Sequence, residues 1–186
     1  VPNHPMGEAY EGYKNKLFHV EHVDGIKVVR LLTYITANEG FLKRTFNYVF
    51  YMWMVIFAAP FLAKADVVIS TTPQFFNGLA GYFVSRIKRA PWVVEVRDLW
   101  PESILAVGAI KNHTVIKALE WLERFLYRKA DFVVPVTQAF KSHILLRGGR
   151  EEAIAVIRNG ANLRQFSPKT YNEKLANDWG VSNKFV

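Results

Sequence analysis

A basic and an acidic residue follow directly on a short, mostly apolar segment. Arg97 and Asp98 come after Trp92–Val96. A cation beside a carboxylate at the end of a strand can bind a hydroxylated or phosphorylated ligand, and we take Asp98 and Arg97 as the candidate catalytic residues. The alternative is structural: Asp98 caps a short helix that begins near Pro101, and Arg97 pairs with a neighbouring acid. The residue types alone favour neither interpretation.

Other polar side chains follow the neighbouring predicted strands. Because ligands bind beyond the carboxyl ends of parallel strands, we expect these residues to line one cleft together. Each also has a structural explanation: the threonines suit helix caps, Trp100 can be packed, and an Asn-Gly pair is typical of turns. The candidates for lining the cleft are Thr71, Thr72, Trp100, Glu102, Thr137, Asn159 and Gly160.

Strands and helices are predicted to alternate along the chain. After a hairpin whose turn is Asp24-Gly25, β-branched runs alternate with segments of helical periodicity. This order predicts an α/β fold with a Rossmann-like parallel sheet and helices on both faces. The predicted strands are 17–23, 26–32, 67–71, 92–96, 132–136 and 153–157, and the predicted helices are 39–63, 75–88, 114–129, 138–147 and 171–179.

The composition excludes several kinds of site. The 186 residues contain no cysteine, which excludes disulfides and thiolate chemistry. The absence of any Gly-x-Gly removes the dinucleotide fingerprint. His19 and His22 would lie on opposite faces of a strand, whereas His113 and His143 are isolated and predicted to lie at the surface. We therefore expect no metal site, and a net charge of +8 favours anionic partners.

The segment Thr45–Ala63 has no charged residue and is bordered by Lys43-Arg44 and Lys64. A helix that is apolar nearly all round is predicted first to be buried, second to contact a membrane surface, and only third to span a bilayer. The candidate membrane contacts are Lys43, Arg44, Tyr51 and Trp53, because basic and aromatic residues suit an anionic leaflet. The alternative is an ordinary solvated basic surface.

Several of these segments, in this order, resemble the group 1 (family 4) glycosyltransferases, and most of all the subgroup that makes bacterial O-antigen, capsule and colanic acid. The similarity extends over essentially the whole chain. It is carried by the runs at Pro2–Gly7, Tyr10–Lys14, Arg97–Ser103, Val133–Thr137, Ile157–Asn162 and Phe166–Pro168.

The resemblance implies a GT-B fold, with two Rossmann-like domains facing a cleft. Residues 1–168 would be the acceptor-binding N-terminal domain without its first strand, and residues 169–186 the start of a truncated donor-binding domain. The full-length enzyme would transfer a sugar with retention of configuration, from a nucleotide-diphosphate-sugar bound by the missing domain, with no permanently bound cofactor and no metal.

The resemblance also implies partners and a location. The acceptor would be a saccharide, in this subgroup one linked to polyprenyl diphosphate, and the protein would lie on the cytoplasmic face of the bacterial membrane. No nucleic-acid partner is implied.

The chain departs from the family pattern in ways that affect activity. Arg97 stands where many members have histidine, and Arg158 where proline is common. The family's two glutamates eight positions apart are absent, so the chain by itself is expected to be inactive. Two other classes remain as alternatives: a basic module that binds membranes or nucleic acid, and a Rossmann oxidoreductase.

Overall fold

The computed structural model describes residues 7–36, 41–106, 108, 110, 112–164, 166, 172–182 and 184. It opens with an antiparallel hairpin of β1 (Phe18–Val23) and β2 (Ile26–Leu31). Asp24 and Gly25 form the turn with φ of 50° and 80°, the left-handed conformation that a tight hairpin requires. The predicted hairpin is therefore confirmed.

A parallel sheet follows, with its strands side by side in chain order. It consists of β3 (Val68–Thr71), β4 (Trp92–Val96) and β5 (Phe132–Pro135). The helices are α1 (Phe41–Ala58), α2 (Phe75–Lys88), α3 (Glu102–Ala106), α4 (His113–Lys129), α5 (Gln138–Leu146) and α6 (Glu173–Asp178). The predicted α/β class, a parallel sheet flanked by helices, is confirmed.

Two predicted elements differ from the structure. The strand predicted over Ala153–Ile157 is reduced to one parallel bridge between Ile154 and Val133, because a 3-10 turn at Glu151–Ala153 takes its first residue. Hydrogen bonds from Ala155 N to Val133 O (3.2 Å) and from Ile157 N to Pro135 O (3.1 Å) still hold this segment beside β5. The long predicted helix ends at Ala58, ahead of a 3-10 turn containing Pro60, which has no N–H to donate.

The core lies between one face of the sheet and the helices. Trp92, Val94 and Val96 of β4 are completely buried and pack with Leu126 of α4. The Trp92 indole donates a hydrogen bond to Ser70 Oγ over 2.9 Å. This packing needs a glycine at position 81 of α2, since a Cβ there would lie 2.6 Å from the Ser70 side chain. Close packing of α2 thereby fixes the ends of β3 and β4, where the candidate residues lie.

Candidate functional site

The loops that follow β3, β4 and β5 meet at one edge of the sheet. Thr72 N donates to Glu95 O over 2.9 Å, and Thr72 Oγ1 lies 3.4 Å from Asp98 O. Val136 N donates to Val96 O over 3.3 Å. The carboxyl ends of the strands are thus adjacent, as the predicted strand order requires.

An open cleft of about 500 Å³ lies at this edge, between α1 and the loops after β3 and β4. The hairpin side contributes Thr33, α1 contributes four residues, and the remaining wall comes from the β3–α2 connection and from Trp100. The lining residues are Thr33, Arg44, Asn47, Tyr48, Tyr51, Thr71, Thr72, Pro73, Gln74, Asn77 and Trp100.

The chemistry of this lining is uneven. Five lining residues carry hydroxyls, three carry amides, and Arg44 is the single charged one. Burial raises the pKa of the Tyr51 hydroxyl, so at neutral pH it is uncharged and can both donate and accept a hydrogen bond. Neutral donors and acceptors around an aromatic ring suit a polyhydroxylated ligand, and the guanidinium adds a preference for negative charge.

Local hydrogen bonds hold the walls in place. On α1, the residues Arg44, Asn47, Tyr48 and Tyr51 follow helical i, i+3, i+4, i+7 spacing and so share one face. The Asn47 amide donates to the Tyr34 carbonyl, which joins α1 to the segment after β2. On the opposite wall, Asn77 Nδ2 donates to Thr71 O over 3.0 Å. The cleft is therefore largely pre-formed.

Trp100 is both packed and exposed to the cleft. Its ring meets that of Phe75 edge to face at 5.9 Å, and Phe75 is buried in the core. The two uses proposed for this tryptophan from sequence are thus compatible, since one part of the ring is fixed by the core while another part lines the cleft.

Asp98 and Arg97 make the structural contacts that formed the alternative interpretation. Asp98 Oδ1 accepts from Leu99 N over 2.9 Å, and Oδ2 lies 3.1 Å from Ser103 Oγ on α3. Arg97 Nε lies 3.6 Å from Glu95 Oε1, and both side chains are substantially exposed. Asp98 is only half-buried, two residues before Trp100, so its loop forms the rim beside the cleft.

A family model supports what these residues suggest. The model of the glycosyl transferase 4-like domain matches residues 9–160, which is most of the chain. The chain belongs to this family. No curated protein matches the sequence.

Two solved structures have a similar fold to this glycosyl transferase 4-like domain. Anabaena HepE in complex with UDP-glucose is 21% identical with a TM-score of 0.50, over 80% of this chain and 36% of the HepE chain. HepE in complex with UDP is 20% identical with a TM-score of 0.51, over 79% and 36%. At this identity the likeness shows the fold, which resembles GT-B. The chain spans about a third of the length of HepE.

The helix α1 of the glycosyl transferase 4-like domain corrects part of the predicted membrane contact. Arg44 and Tyr51 were predicted to face a membrane, but their side chains line the cleft. Lys43 and Trp53 lie on another face of the helix and are exposed. The prediction failed because the segment is apolar nearly all round, so its sequence does not show which face meets the sheet edge. None of the described helices, α1 included, is long and apolar enough to cross a bilayer.

Four of the predicted cleft residues lie outside this cavity. Thr137 caps α5, its Oγ1 accepting from Phe140 N over 3.1 Å, and Asn159 and Gly160 are exposed beyond Ile157. Neither Asn159 nor Gly160 has a positive φ, so the left-handed turn considered from sequence is wrong. Glu102 is directed away from the cleft, toward two basic groups on α5.

An ion cluster behind the Asp98 loop was not predicted. The carboxylate of Glu123 on α4 is completely buried, with Oε1 2.8 Å from His143 Nε2 and Oε2 3.4 Å from Arg147 Nε. His143 Nδ1 lies 3.3 Å from Glu102 Oε1. His143, predicted to lie at the surface, is therefore largely buried, because α5 packs it between α4 and α3.

Two pKa values in this cluster are raised. Burial raises the pKa of the Glu123 carboxyl, although His143 and Arg147 oppose the shift. Burial and the neighbouring Glu123 charge also raise the pKa of the Tyr127 hydroxyl. The sequence offers one signal for such a cluster: Glu120 and Glu123 on α4, and His143 and Arg147 on α5, each share a helical face. In the described part of the chain no group of three potential ligands could hold a metal ion.

Proposed function

We propose that this chain is the acceptor-binding part of a glycosyltransferase that moves a sugar from a nucleotide-diphosphate-sugar to a saccharide acceptor. The observation that carries the proposal is the cleft at the carboxyl edge of the sheet, lined by hydroxyls, amides and Trp100. Family membership supports the reaction class. The cleft is large enough for a small saccharide and offers the mixture of polar and aromatic groups that sugar rings bind.

The finer features of the reaction follow the family resemblance. We propose transfer with retention of configuration, without a metal, in the synthesis of a cell-surface polysaccharide of the O-antigen or capsule type. Residues 1–168 would bind the acceptor, and residues 169–186 would begin the part that binds the donor. The diphosphate of the donor would be held outside this chain, so the isolated chain is expected to be inactive.

The acceptor is proposed to be lipid-linked, which requires a membrane-facing surface. On α1 an aromatic stripe, defined as Phe46, Phe50, Trp53 and Phe57, follows helical i, i+4, i+7, i+11 spacing. Its rings stack in pairs, at 6.3 Å for Phe46–Phe50 and 6.0 Å for Trp53–Phe57. Lys43 precedes the stripe, and the net charge of +8 suits an anionic leaflet. We place the protein at the cytoplasmic face of the membrane on these grounds.

Asp98 is the proposed catalytic carboxylate, and its test uses the complete enzyme. In Asp98→Asn the amide oxygen still accepts from Leu99 N, so the loop should keep its conformation. A catalytic role predicts a fall in kcat of about a hundredfold or more, since general acid–base groups contribute on this order. The measurement is turnover of the nucleotide-sugar together with a melting temperature.

Ser103→Ala is the matched control for the capping interaction. It removes the hydroxyl 3.1 Å from Asp98 Oδ2 but leaves the carboxylate and its charge. Turnover should then stay within about threefold of the wild type, much less than the effect expected for a catalytic carboxylate. If Asp98→Asn turns over at the wild-type rate, Asp98 is a helix cap and the catalytic assignment is wrong.

A further inference from the structure

Arg44 has a buried hydrogen-bond donor that nothing in the described protein satisfies. Its Nε is inaccessible to solvent and has no partner, whereas one terminal nitrogen lies 3.3 Å from Tyr48 Oη. Leaving a donor on a charged group unpaired is costly, and such groups in native structures need an explanation. A ligand in the cleft is a direct explanation, because Arg44 lines it.

The charge around Arg44 is not balanced by the protein. No carboxylate lines the cleft, and among the described residues no acidic side chain lies within ion-pair distance of Arg44. Other arginines are different: Arg30 is paired with Glu21, and Arg147 has three carboxylates nearby. The cleft therefore carries an uncompensated positive charge, which favours an anionic ligand over a neutral one.

The groups beside Arg44 favour phosphate over carboxylate. A guanidinium binds either anion with two parallel N–H donors. Here the Tyr48 and Tyr51 hydroxyls line the same cleft and are uncharged, so they add further donors. A carboxylate offers two oxygens to this set, whereas a terminal phosphate offers three. Thr33 and Gln74, whose side chains use no hydrogen bond within the described residues, remain for the hydroxyls of an attached sugar.

We propose that Arg44 is the anion-binding residue of this cleft and that the acceptor saccharide presents a phosphate group to it. The inference rests on the proposed function, and it adds that the acceptor is phosphorylated and where its phosphate binds. Arg44 is assigned a binding role, not a catalytic one.

The test compares soluble sugars on the 186-residue chain by calorimetry. Glucose 1-phosphate should bind at least about tenfold more tightly than glucose, and Arg44→Gln should abolish that difference. Lys43→Gln is the matched control, because it removes the same charge one position away on an exposed part of the helix, and it should keep the difference. Inorganic phosphate should raise the melting temperature of the wild type and Lys43→Gln but not of Arg44→Gln.

Several outcomes would overturn the inference. Equal loss in Lys43→Gln and Arg44→Gln would show a general charge effect. Equal binding of glucose and glucose 1-phosphate would remove the anion site while leaving saccharide binding intact. Glucuronate binding as tightly as glucose 1-phosphate would contradict the choice of phosphate.

Two further arms separate this inference from its neighbours. Binding of inorganic phosphate through Arg44 with no gain from the attached sugar would support the anion site but contradict the proposed saccharide function. Vesicles of phosphatidylglycerol and phosphatidylcholine should bind wild type and Arg44→Gln alike. Loss of vesicle binding in Arg44→Gln would assign the phosphate to a lipid headgroup and overturn the proposal of a phosphorylated acceptor.

Discussion

Replacing Glu123 with alanine should destabilise the domain far more than replacing Glu102 in the same ion cluster. Both carboxylates contact His143 and Arg147, but Glu123 is completely buried whereas the Glu102 side chain is 47% exposed. In Glu123→Ala the two basic groups of α5 stay in the protein interior without their closest partner, and the removed side chain leaves a cavity.

The magnitude follows from burial. Breaking a buried pair by removing one partner costs about 3–5 kcal/mol, and we expect the lower end because Arg147 keeps Glu120 and Glu102 at 3.6 Å. In Glu102→Gln the lost pair is partly solvated, and such pairs contribute about 0.2–1 kcal/mol. The free energy of unfolding should therefore fall by about 3 kcal/mol in the first variant and by less than about 1 kcal/mol in the second.

Urea denaturation of the isolated chain measures both variants. With a slope of about 2 kcal/mol per molar urea, Glu123→Ala should shift the midpoint by about 1.5 M. The reasoning would be refuted if the two variants differed by less than the uncertainty of the measurement, because burial would then not separate them.

Three further predictions use the same structure. Because burial raises the pKa of Glu123, protonation favours the folded state; the stability of the wild type relative to Glu123→Gln should rise as the pH falls from neutral toward 4.5, and a fall would show that His143 and Arg147 dominate. Gly81→Ala should lower the free energy of unfolding by about 1–3 kcal/mol because its Cβ would lie 2.6 Å from Ser70. Gly160→Ala, whose Cβ meets no atom within 4 Å, should stay within about 0.5 kcal/mol of the wild type in the same calorimetric scan. Trp53→Ser should weaken binding to phosphatidylglycerol vesicles in a sedimentation assay by about tenfold, whereas the equally exposed Trp179→Ser on α6 should not, and equal losses would contradict a specific role for the aromatic stripe.

Local signals were sufficient for most of the elements. The bounds of α2 and β4 agree with the sequence prediction, since a β-branched run and a helical period are properties of neighbouring residues. The adjacency of Thr72 and Asp98 was also predictable, because parallel strands in chain order bring their carboxyl ends to one edge. The position of these loops thus follows from topology, without knowledge of any side-chain contact.

The orientation of side chains required the tertiary structure. Arg44 and Tyr51 were assigned to a membrane face because α1 is apolar nearly all round, and only packing against α2 and the β3–α2 loop decides which face is covered. His143 and Glu123 lie 20 positions apart, so no local pattern places them in contact. The overlooked signal was the polar spacing of Arg44, Asn47, Tyr48 and Tyr51 within an otherwise apolar helix.

The two proposals for α1 concern different faces of one helix, and this makes them separable. Arg44 lies on the cleft face, and Trp53 follows nine positions later on the exposed face, about 14 Å further along the helix axis. A soluble phosphorylated acceptor should respond to Arg44→Gln but not to Trp53→Ser, whereas a lipid-linked acceptor should respond to both. Because the two sites are distant and share no partner, the free-energy losses of the double variant with the lipid-linked acceptor should add. A Trp53→Ser effect on the soluble acceptor would show that the stripe supports the cleft itself, and the assignment of the stripe to the membrane would then be wrong.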